Sequence, residues 1–364
     1  MADSLASDLV VSSHKGPYAV EFRDDPFAEL SALAAAGGVH FLIDARVAEL
    51  YERELGPVLA SPSVLRIDAT EDNKSIEAMP AFVRHLVGKG LRRGQALVAV
   101  GGGIVQDITC FLAATMLRGV DWSFAPTTLL AMADSCVGSK SSINGGGAKN
   151  VLGTFTPPKR IVLSARFLKT LDEKDVRSGV GEMLKVHAID GPASFDAIAK
   201  DYERLFTDPS VMTSYLRRSL GIKKPIVEAD EFDKGPRLVM NYGHSFGHAL
   251  ESATEFGVPH GIAVTIGMDL ANFAAGRLGL GDAAHYRRMR PTLAANWRGF
   301  EATPVPLDPF LAALGKDKKN SAKALGLILP GTDGKPRKVD VPADERFRAV
   351  CAEHLSKGRT EELP

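Results

Sequence analysis

The first half of the chain alternates short apolar runs with segments of helical periodicity. The apolar runs are Val39–Ile43, Val64–Ile67, Ala96–Val100, Trp122–Ala125 and Arg160–Leu163. Helix-like patterns follow several of these runs, for example over residues 45–55 and over Ile108–Leu117. Strands that alternate with helices at this spacing are typical of a mostly parallel sheet covered by helices. The pattern therefore predicts an α/β domain.

Beyond about Leu171 the apolar patterns become longer and helical. They include Asp175–Ala188, Pro209–Glu228 and Gly243–Glu255. A chain of 364 residues is also longer than one domain usually is. We therefore predict an α/β domain over residues 1–172 and an all-α domain over residues 173–364.

The composition argues against several classes of partner. The 44 basic and 44 acidic side chains cancel, so no overall field attracts nucleic acid or an anionic membrane. No uninterrupted apolar stretch approaches the roughly 20 residues of a membrane span. The N-terminus has early acidic residues and no basic segment before an apolar run, so we expect no signal peptide. The three cysteines form no C-x-x-C pair. We expect a cytoplasmic protein that binds neither nucleic acid nor membrane.

Three consecutive glycines, Gly101 to Gly103, follow the run Ala96–Val100 and open a helical pattern. Glycine at such a turn lets backbone N–H groups approach a pyrophosphate at a helix N-terminus. The pattern is G-G-G-x-x-x-D, ending at Asp107, so the usual G-x-G-x-x-G fingerprint is absent. A plain strand-to-helix turn is the alternative. Asp44, at the end of the first run, is positioned to accept ribose hydroxyls.

A second region combines charged and polar side chains with small residues. Its members are Arg118, Asp134, Lys140, Lys149 and Asn150. Lysines separated by glycines and small hydroxyl residues provide the cations, donors and space that a phosphate group requires. A solvated basic loop is the alternative, and we interpret the glycines at 145–147 as a flexible local loop.

A cluster of histidines gives the strongest chemical signal. His244 and His248 are separated by one helical turn and hence share a helix face, and His260 follows sixteen residues after His244. Upstream, Glu182 and Lys185 lie three residues apart on a helix of their own. Imidazoles and a carboxylate in one helical domain suit a divalent metal with open positions for substrate. Packed or exposed histidines without a metal are the alternative.

Further basic residues lie near the histidines in the sequence. Lys223 and Arg237 come eighteen and four residues before Asn241, close enough to line the same cavity. The run Lys316–Lys319 could join them, although charge runs are usually solvated faces.

Several separate motifs, in the same order and with near-identical spacing, together resemble the dehydroquinate synthase family within the sugar phosphate cyclases. They are the glycine-rich run from Gly101 to Asn144, Ala148–Phe155, Gly181–Lys185, Asn241–Glu251 and Pro259–Gly261. The resemblance implies a Rossmann-like NAD-binding α/β domain, a helical domain that holds a divalent metal, usually zinc or cobalt, and an active site between them. It also implies a homodimer.

The resemblance further implies roles for individual residues. The implied metal ligands are Glu182, His244 and His260, which makes His248 a catalytic or supporting residue instead of a ligand. The implied cofactor residues are Asp44, Glu71, Lys74, Gly102, Gly103, Asp107, Thr127, Thr128, Asp134, Lys149, Phe167 and Thr170. The implied substrate contacts are Lys140, Asn150, Lys185, Lys223, Arg237, Asn241 and Lys318, with Arg118 supplied by a second subunit. Of these, the implied catalytic residues are Lys140, Lys185, Lys223, Arg237 and Asn241.

In the family that the chain resembles, NAD transiently oxidises a ring carbinol, and phosphate then leaves by β-elimination. NADH returns the hydride, and an intramolecular aldol addition closes a carbocycle. Arg237 and Lys223 stand where the dehydroquinate enzymes pair the carboxylate of a seven-carbon keto acid. A buried arginine without such a partner would be costly. The resemblance therefore favours conversion of 3-deoxy-D-arabino-heptulosonate 7-phosphate into 3-dehydroquinate and phosphate.

The chain departs from the typical family pattern at two places. Residues 138–146 read GSKSSINGG in place of GGKTGINHP, and Lys174-Asp175 replaces Arg-Glu. The first change lies in the phosphate region and is compatible with another substrate. The alternatives are a valiolone-type cyclase of sedoheptulose 7-phosphate or an aminodehydroquinate synthase, in secondary metabolism. A metal-dependent alcohol or glycerol dehydrogenase is a further alternative, although it needs no lysine-rich phosphate site.

Overall fold

The computed structural model describes residues 9–316 and 324–359. The chain divides into two compact units. The first, here called the sheet unit, comprises the residues up to Leu171 together with Lys224–Phe232. The second, here called the helical unit, comprises Asp172–Lys223 and the residues after Phe232. No helix in the described part of the chain has the length and apolar character needed to cross a bilayer.

The sheet unit contains nine strands and five α-helices in its described residues. The strands are β1 (Leu9–Val11), β2 (Tyr18–Phe22), β3 (Val39–Asp44), β4 (Val64–Ile67), β5 (Ala96–Gly101), β6 (Asp121–Pro126), β7 (Lys140–Gly145), β8 (Ala148–Phe155) and β9 (Arg160–Leu163). The helices are α1 (Pro26–Ala36), α2 (Ala45–Leu50), α3 (Gly56–Leu59), α4 (Met79–Gly88) and α5 (Gly103–Thr115). Single turns of 3-10 helix lie at Met116–Arg118 and Ala165–Thr170, and a π-turn lies at Ala131–Ser135.

Seven of these strands form one sheet in the order β1-β2-β9-β6-β5-β3-β4. All neighbours pair in parallel except β1 and β2. The central strands are buried on both faces, and for this reason they read as continuous apolar runs such as Phe41 to Ile43 and Leu97 to Val100. The predicted α/β fold, with its mostly parallel sheet, is confirmed.

Strands β7 and β8 form a separate antiparallel hairpin. Ser142 pairs with Gly153, and Gly145 pairs with Ala148 across the tip. The glycines that we interpreted as a flexible loop belong to this turn, where Gly146 and Gly147 adopt φ of +58° and +77°. Of the basic region of the sequence, Lys140, Lys149 and Asn150 therefore lie on a paired hairpin and not in an irregular loop, while Arg118 and Asp134 lie outside it.

The helical unit is built mainly from long helices. They are α6 (Glu173–Asp190), α7 (Pro192–Lys200), α8 (Arg204–Thr207), α9 (Pro209–Ala229, as far as Lys223), α10 (His244–Ala253), α11 (His260–Leu278), α12 (Ala283–Asn296), α13 (Leu307–Gly315) and α14 (Glu345–Glu353). A 3-10 turn at Pro236–Asn241 precedes α10, and a π-turn at His354–Gly358 follows α14. The predicted helical character is confirmed, but the unit also contains an antiparallel hairpin of β10 (Ala324–Pro330) and β11 (Pro336–Pro342) that the sequence analysis did not predict.

Helix α11 lies at the centre of the helical unit and is buried continuously from Gly261 to Ala275. It approaches α6 so closely that a Cβ added to Gly261 would overlap the carbonyl group of Ser178. It approaches α10 in the same way, because a Cβ on Gly267 would overlap the carbonyl of Gly243. Only glycine permits this helix spacing.

We expect Gly261→Ala to lower the free energy of unfolding by about 3 kcal/mol, because the new methyl group must push two helix backbones apart. Gly276→Ala is the matched control on the same helix, since the nearest atom to its Cβ would be Ala283 Cα at 3.5 Å. Replacing a helical glycine by alanine without a clash stabilises by up to about 1 kcal/mol. Urea denaturation compares the two variants, and equal midpoints would contradict the close packing at Gly261.

Candidate functional site

Four potential metal-binding side chains converge in the helical unit. Glu182 projects from α6, His244 and His248 from the first turns of α10, and His260 is the first residue of α11. Glu182 Oε1 lies 3.6 Å from His244 Nε2 and 3.4 Å from His260 Nε2. One ring nitrogen from each of the three histidines lies within 4.8 Å of the others. Residues that are distant in sequence thus form one compact cluster.

The geometry and the chemistry of this cluster fit a divalent metal ion. A tetrahedral ion about 2.1 Å from each ligand atom requires ligand atoms about 3.4 Å apart, which matches the separations around Glu182 Oε1. The Glu182 side chain is only 2% exposed, and neither of its oxygens accepts a well-aligned hydrogen bond from the described residues. Lys185 Nζ lies 2.5 Å from Glu182 Oε2. A buried carboxylate beside two imidazoles is the donor set that zinc and cobalt accept.

The outer nitrogens of two histidines face oxygen atoms that orient the rings. His244 Nδ1 lies 3.3 Å from the carbonyl oxygen of Tyr242. His260 Nδ1 lies 3.2 Å from Glu251 Oε2. Such contacts select the tautomer that leaves Nε2 available as the ligand atom. The sequence analysis gave no role to Glu251, although it follows His248 by three residues and therefore shares a helix face with it.

The electrostatics of His260 also favour a cation between the two carboxylates. Burial alone would lower the pKa of His260, but its close contacts with the carboxylates of Glu182 and Glu251 and their electrostatic attraction outweigh burial and raise the pKa to about 10. The cluster is therefore arranged to stabilise positive charge at the Nε2 atoms that face Glu182.

Several of the predicted substrate residues belong to the same unit. Lys185, Lys223 and Arg237 are all buried, with exposed fractions of 1%, 4% and 8%. Asn241 ends the 3-10 turn before α10 and donates from Nδ2 to the Leu238 carbonyl at 3.1 Å. Lys318 lies outside the described residues.

The sheet unit offers a site for a dinucleotide. Strand order reverses between β3 and β5, and ligands of open α/β sheets bind beside the carboxyl ends of strands at such a point. Asp44 ends β3 and Gly101 ends β5. Gly102 caps α5 without a side-chain hydrogen bond, so the N–H groups of the first helical turn are left for an anion. A Cβ on Gly102 would lie 2.9 Å from Thr128 Cγ2.

Four further predicted residues meet in one hydrogen-bonded network. Lys74 Nζ lies 2.9 Å from Asn150 Oδ1, 3.4 Å from Asp107 Oδ2 and 3.6 Å from Glu71 Oε1. Burial raises the pKa of Asp107 to about 6, although Lys74 opposes this shift. Burial likewise raises the pKa of Asp44, which accepts a hydrogen bond from the Arg46 backbone at 2.9 Å.

The remaining predicted residues occupy varied environments. Thr127 N donates to the Gly101 carbonyl at 2.9 Å. Asp134 lies in the π-turn, Lys140 begins β7, and Lys149 lies on β8.

The last three predicted residues differ in solvent exposure. They are Phe167, Thr170 and Arg118. Phe167 is fully buried, and its ring packs in an aromatic cluster with Phe27 and Tyr51. Thr170 Oγ1 lies 3.0 Å from Tyr51 Oη. Arg118 is exposed on a turn with φ of +67°.

We expect Glu251→Gln to weaken zinc binding about 10- to 100-fold, because the loss of a carboxylate behind a ligating imidazole reduces its basicity and its orientation. Glu255→Gln is the matched control, since it makes the same change at an exposed position four residues later. Competition with a chromophoric chelator measures both affinities. Equal zinc affinities in the two variants would show that Glu251 does not support metal binding.

Comparisons with known proteins agree with this geometry. A family described as 3-dehydroquinate synthase N-terminal matches residues 64–178, and one described as 3-dehydroquinate synthase C-terminal matches residues 179–320. The chain is 36% identical over 332 residues to a 3-dehydroquinate synthase of Xylella fastidiosa, covering 86% of this chain and 89% of the relative. It is 33% identical over 290 residues to that of Dictyoglomus thermophilum, covering 79% and 81%.

Among solved structures, the chain is similar to the 2-epi-5-epi-valiolone synthase ValA from Streptomyces hygroscopicus subsp. jinggangensis, which has NAD+ and Zn2+ bound. The TM-score is 0.82 at 28% identity, covering 94% of this chain and 97% of that one. Similar proteins thus include cyclases with different substrates.

Proposed function

The chain belongs to the 3-dehydroquinate synthase family of sugar phosphate cyclases, and from this premise we propose that it converts 3-deoxy-D-arabino-heptulosonate 7-phosphate into 3-dehydroquinate and phosphate. The main support is the 3.4 to 3.6 Å convergence of Glu182 with His244 and His260. The same helical unit buries the cations Lys185, Lys223 and Arg237.

We assign a zinc or cobalt ion to Glu182, His244 and His260, with His260 oriented by Glu251. Similarity to a cyclase that holds NAD+ and Zn2+ supports this assignment. When bound, the ion and NAD supply a Lewis acid and a recycled hydride acceptor, which together allow transient oxidation of a ring hydroxyl. Lys185 lies beside Glu182, and we assign to it the stabilisation of negative charge that develops on the substrate. We assign to His248, which shares the cluster, a catalytic or supporting role.

We assign NAD to the sheet unit. Its pyrophosphate would lie at the N-terminus of α5, where Gly102 and Gly103 leave room for close approach and the helix dipole favours negative charge. Asp44 would accept the ribose hydroxyls. The other proposed contacts are Glu71, Lys74, Asp107, Thr127, Thr128, Asp134, Lys149, Phe167 and Thr170.

The substrate brings two anionic groups, a phosphate and a carboxylate. We assign Arg237 and Lys223 to the carboxylate, because a buried guanidinium is a fixed, planar partner for that group. We assign Lys140 and Asn150 to the phosphate. We also assign Asn241 and Lys318 to the substrate, with Arg118 supplied by the second subunit of a homodimer. The substrate phosphate is itself able to accept the proton in the elimination, so the side chains mainly hold the substrate and stabilise charge.

A valiolone-type cyclase, which acts on sedoheptulose 7-phosphate, is the second candidate. It is favoured by the 28% identity to ValA over nearly the whole chain. The neutral sugar lacks a carboxylate, so Arg237 distinguishes the two candidates.

We expect phosphate release from 3-deoxy-D-arabino-heptulosonate 7-phosphate by the NAD-loaded protein, and loss of this activity after treatment with a chelator, restored by zinc or cobalt. Sedoheptulose 7-phosphate, assayed in parallel, should release far less phosphate. Turnover of the neutral sugar alone would overturn the proposed substrate and favour the second candidate.

We expect Arg237→Ala to reduce kcat/KM for the keto acid phosphate by about 100-fold, because the substrate carboxylate loses its charged partner. Arg277→Ala is the control: this arginine pairs with Glu353 at the surface of the same unit, and its loss should change kcat/KM less than twofold. If Arg237→Ala also preserved kcat/KM, the guanidinium would not bind the carboxylate.

A further inference from the structure

Two donors fix the side-chain amide of Asn150. Lys74 Nζ lies 2.9 Å from Asn150 Oδ1, and Ser142 Oγ lies 3.0 Å from the same atom. The backbone N–H of Asn150 donates to Asn144 Oδ1 at 3.0 Å. Asn150 also adopts a left-handed φ of +55°, which asparagine tolerates better than most residues. Both the main chain and the side chain of Asn150 are thus held in place.

The identity of the partners determines which end of the amide faces them. A lysine ammonium group can only donate, so the atom of Asn150 that faces Lys74 must be the oxygen. Because the Ser142 hydroxyl faces the same oxygen, it must donate as well. Lys74 is only 7% exposed and is also bound by Asp107 at 3.4 Å, which limits its movement.

This orientation has a consequence for the opposite end of the amide. Asn150 Nδ2 points away from Lys74 and Ser142, and it makes no hydrogen bond to any residue within 9–316 or 324–359. The side chain of Asn150 is exposed. Two N–H donors are therefore presented to solvent with a fixed direction, which suits an oxyanion that can only accept hydrogen bonds.

We infer that Ser142 is a positioning residue that, together with Lys74, turns the Asn150 N–H donors toward the phosphate of the substrate. This inference rests on the proposed function, in which Asn150 contacts that phosphate. If the amide were reversed, its carbonyl oxygen would face the anion and repel it. The typical family pattern has glycine where this chain has Ser142, so the second donor to Asn150 Oδ1 distinguishes this chain.

The test measures binding of inorganic phosphate, the reaction product, to the NAD-loaded protein by calorimetry, and KM and kcat for the sugar phosphate. We expect Ser142→Ala to weaken phosphate binding and to raise KM by about five- to tenfold, the effect of one hydrogen bond, with little change in kcat. Ser142→Thr keeps the hydroxyl and should bind phosphate like the unmodified protein.

Ser141→Ala is the matched control. It removes a hydroxyl from the adjacent residue, where the group faces Thr154 Oγ1 at 3.0 Å on the other side of β7. Phosphate affinity should stay unchanged in this variant. Asn150→Ala completes a double-mutant cycle, in which Ser142→Ala should have no further effect once the amide is gone.

The cycle separates positioning from a purely structural role. The inference would be overturned if Ser142→Ala lowered phosphate affinity by the same factor with and without the Asn150 side chain. It would also be overturned if Ser141→Ala lowered phosphate affinity as much as Ser142→Ala does. Unchanged phosphate affinity in Ser142→Ala, or no phosphate binding by the unmodified protein, would overturn it as well. If the protein did not turn over the keto acid phosphate, only the proposed substrate would be rejected. The role of Ser142 would stand, because a cyclase of sedoheptulose 7-phosphate also releases phosphate.

Discussion

Direct backbone contact between helices determines the geometry of the proposed metal cluster. Helix α11 meets the backbone of α6 at Gly261, next to His260, and the partner glycine on α6 is Gly181, next to Glu182. The two ligand atoms are therefore attached one residue away from the point where the helices touch, which holds them 3.4 Å apart. Side chains in a helix interface would separate the backbones and, with them, the ligands. The small residues beside the ligands thus belong to the site as much as the ligands do.

The periodicity of apolar residues predicted individual strands and helices well, but it could not predict which of them pack against each other. The apolar run Val39–Ile43 became β3 almost unchanged, because a strand buried on both faces has a clear pattern. The spacing of His244 and His248 correctly indicated one helix face, yet it gave no information about the helix opposite. Glu182 lies on that helix, and only the family resemblance paired it with His260. The β7–β8 hairpin was missed for a local reason, since its residues are polar and its tip is rich in glycine.

The chain is neutral overall, and its interior charges are concentrated where ligands are proposed to bind. A buried carboxylate is costly unless its oxygens are paired. Asp269, elsewhere on α11, meets this requirement within the protein, since its Oδ2 contacts both Arg290 and His354. Glu182 is equally buried, but its Oε1 faces the Nε2 atoms of His244 and His260 at 3.6 and 3.4 Å, while its Oε2 lies 2.5 Å from Lys185 Nζ. The two carboxylates differ in their neighbours: a guanidinium pairs Asp269, whereas two imidazole nitrogens face Glu182 at distances that suit an ion, and sequence alone could not reveal this difference.

Within this family, a change of substrate need not alter the metal or nucleotide sites, because transient oxidation and phosphate elimination require the same groups whichever sugar is bound. Selectivity must come from side chains that meet the parts of the sugar that differ between substrates. In the proposed function Arg237 is one such side chain, since only the keto acid carries a carboxylate. The hairpin residue Asn150, positioned by Ser142, is proposed to meet the phosphate, and every substrate carries that group. If Ser142 orients Asn150 as inferred, the departures in β7 change the affinity for that common phosphate group, and the choice of sugar is left to residues such as Arg237 in the helical unit.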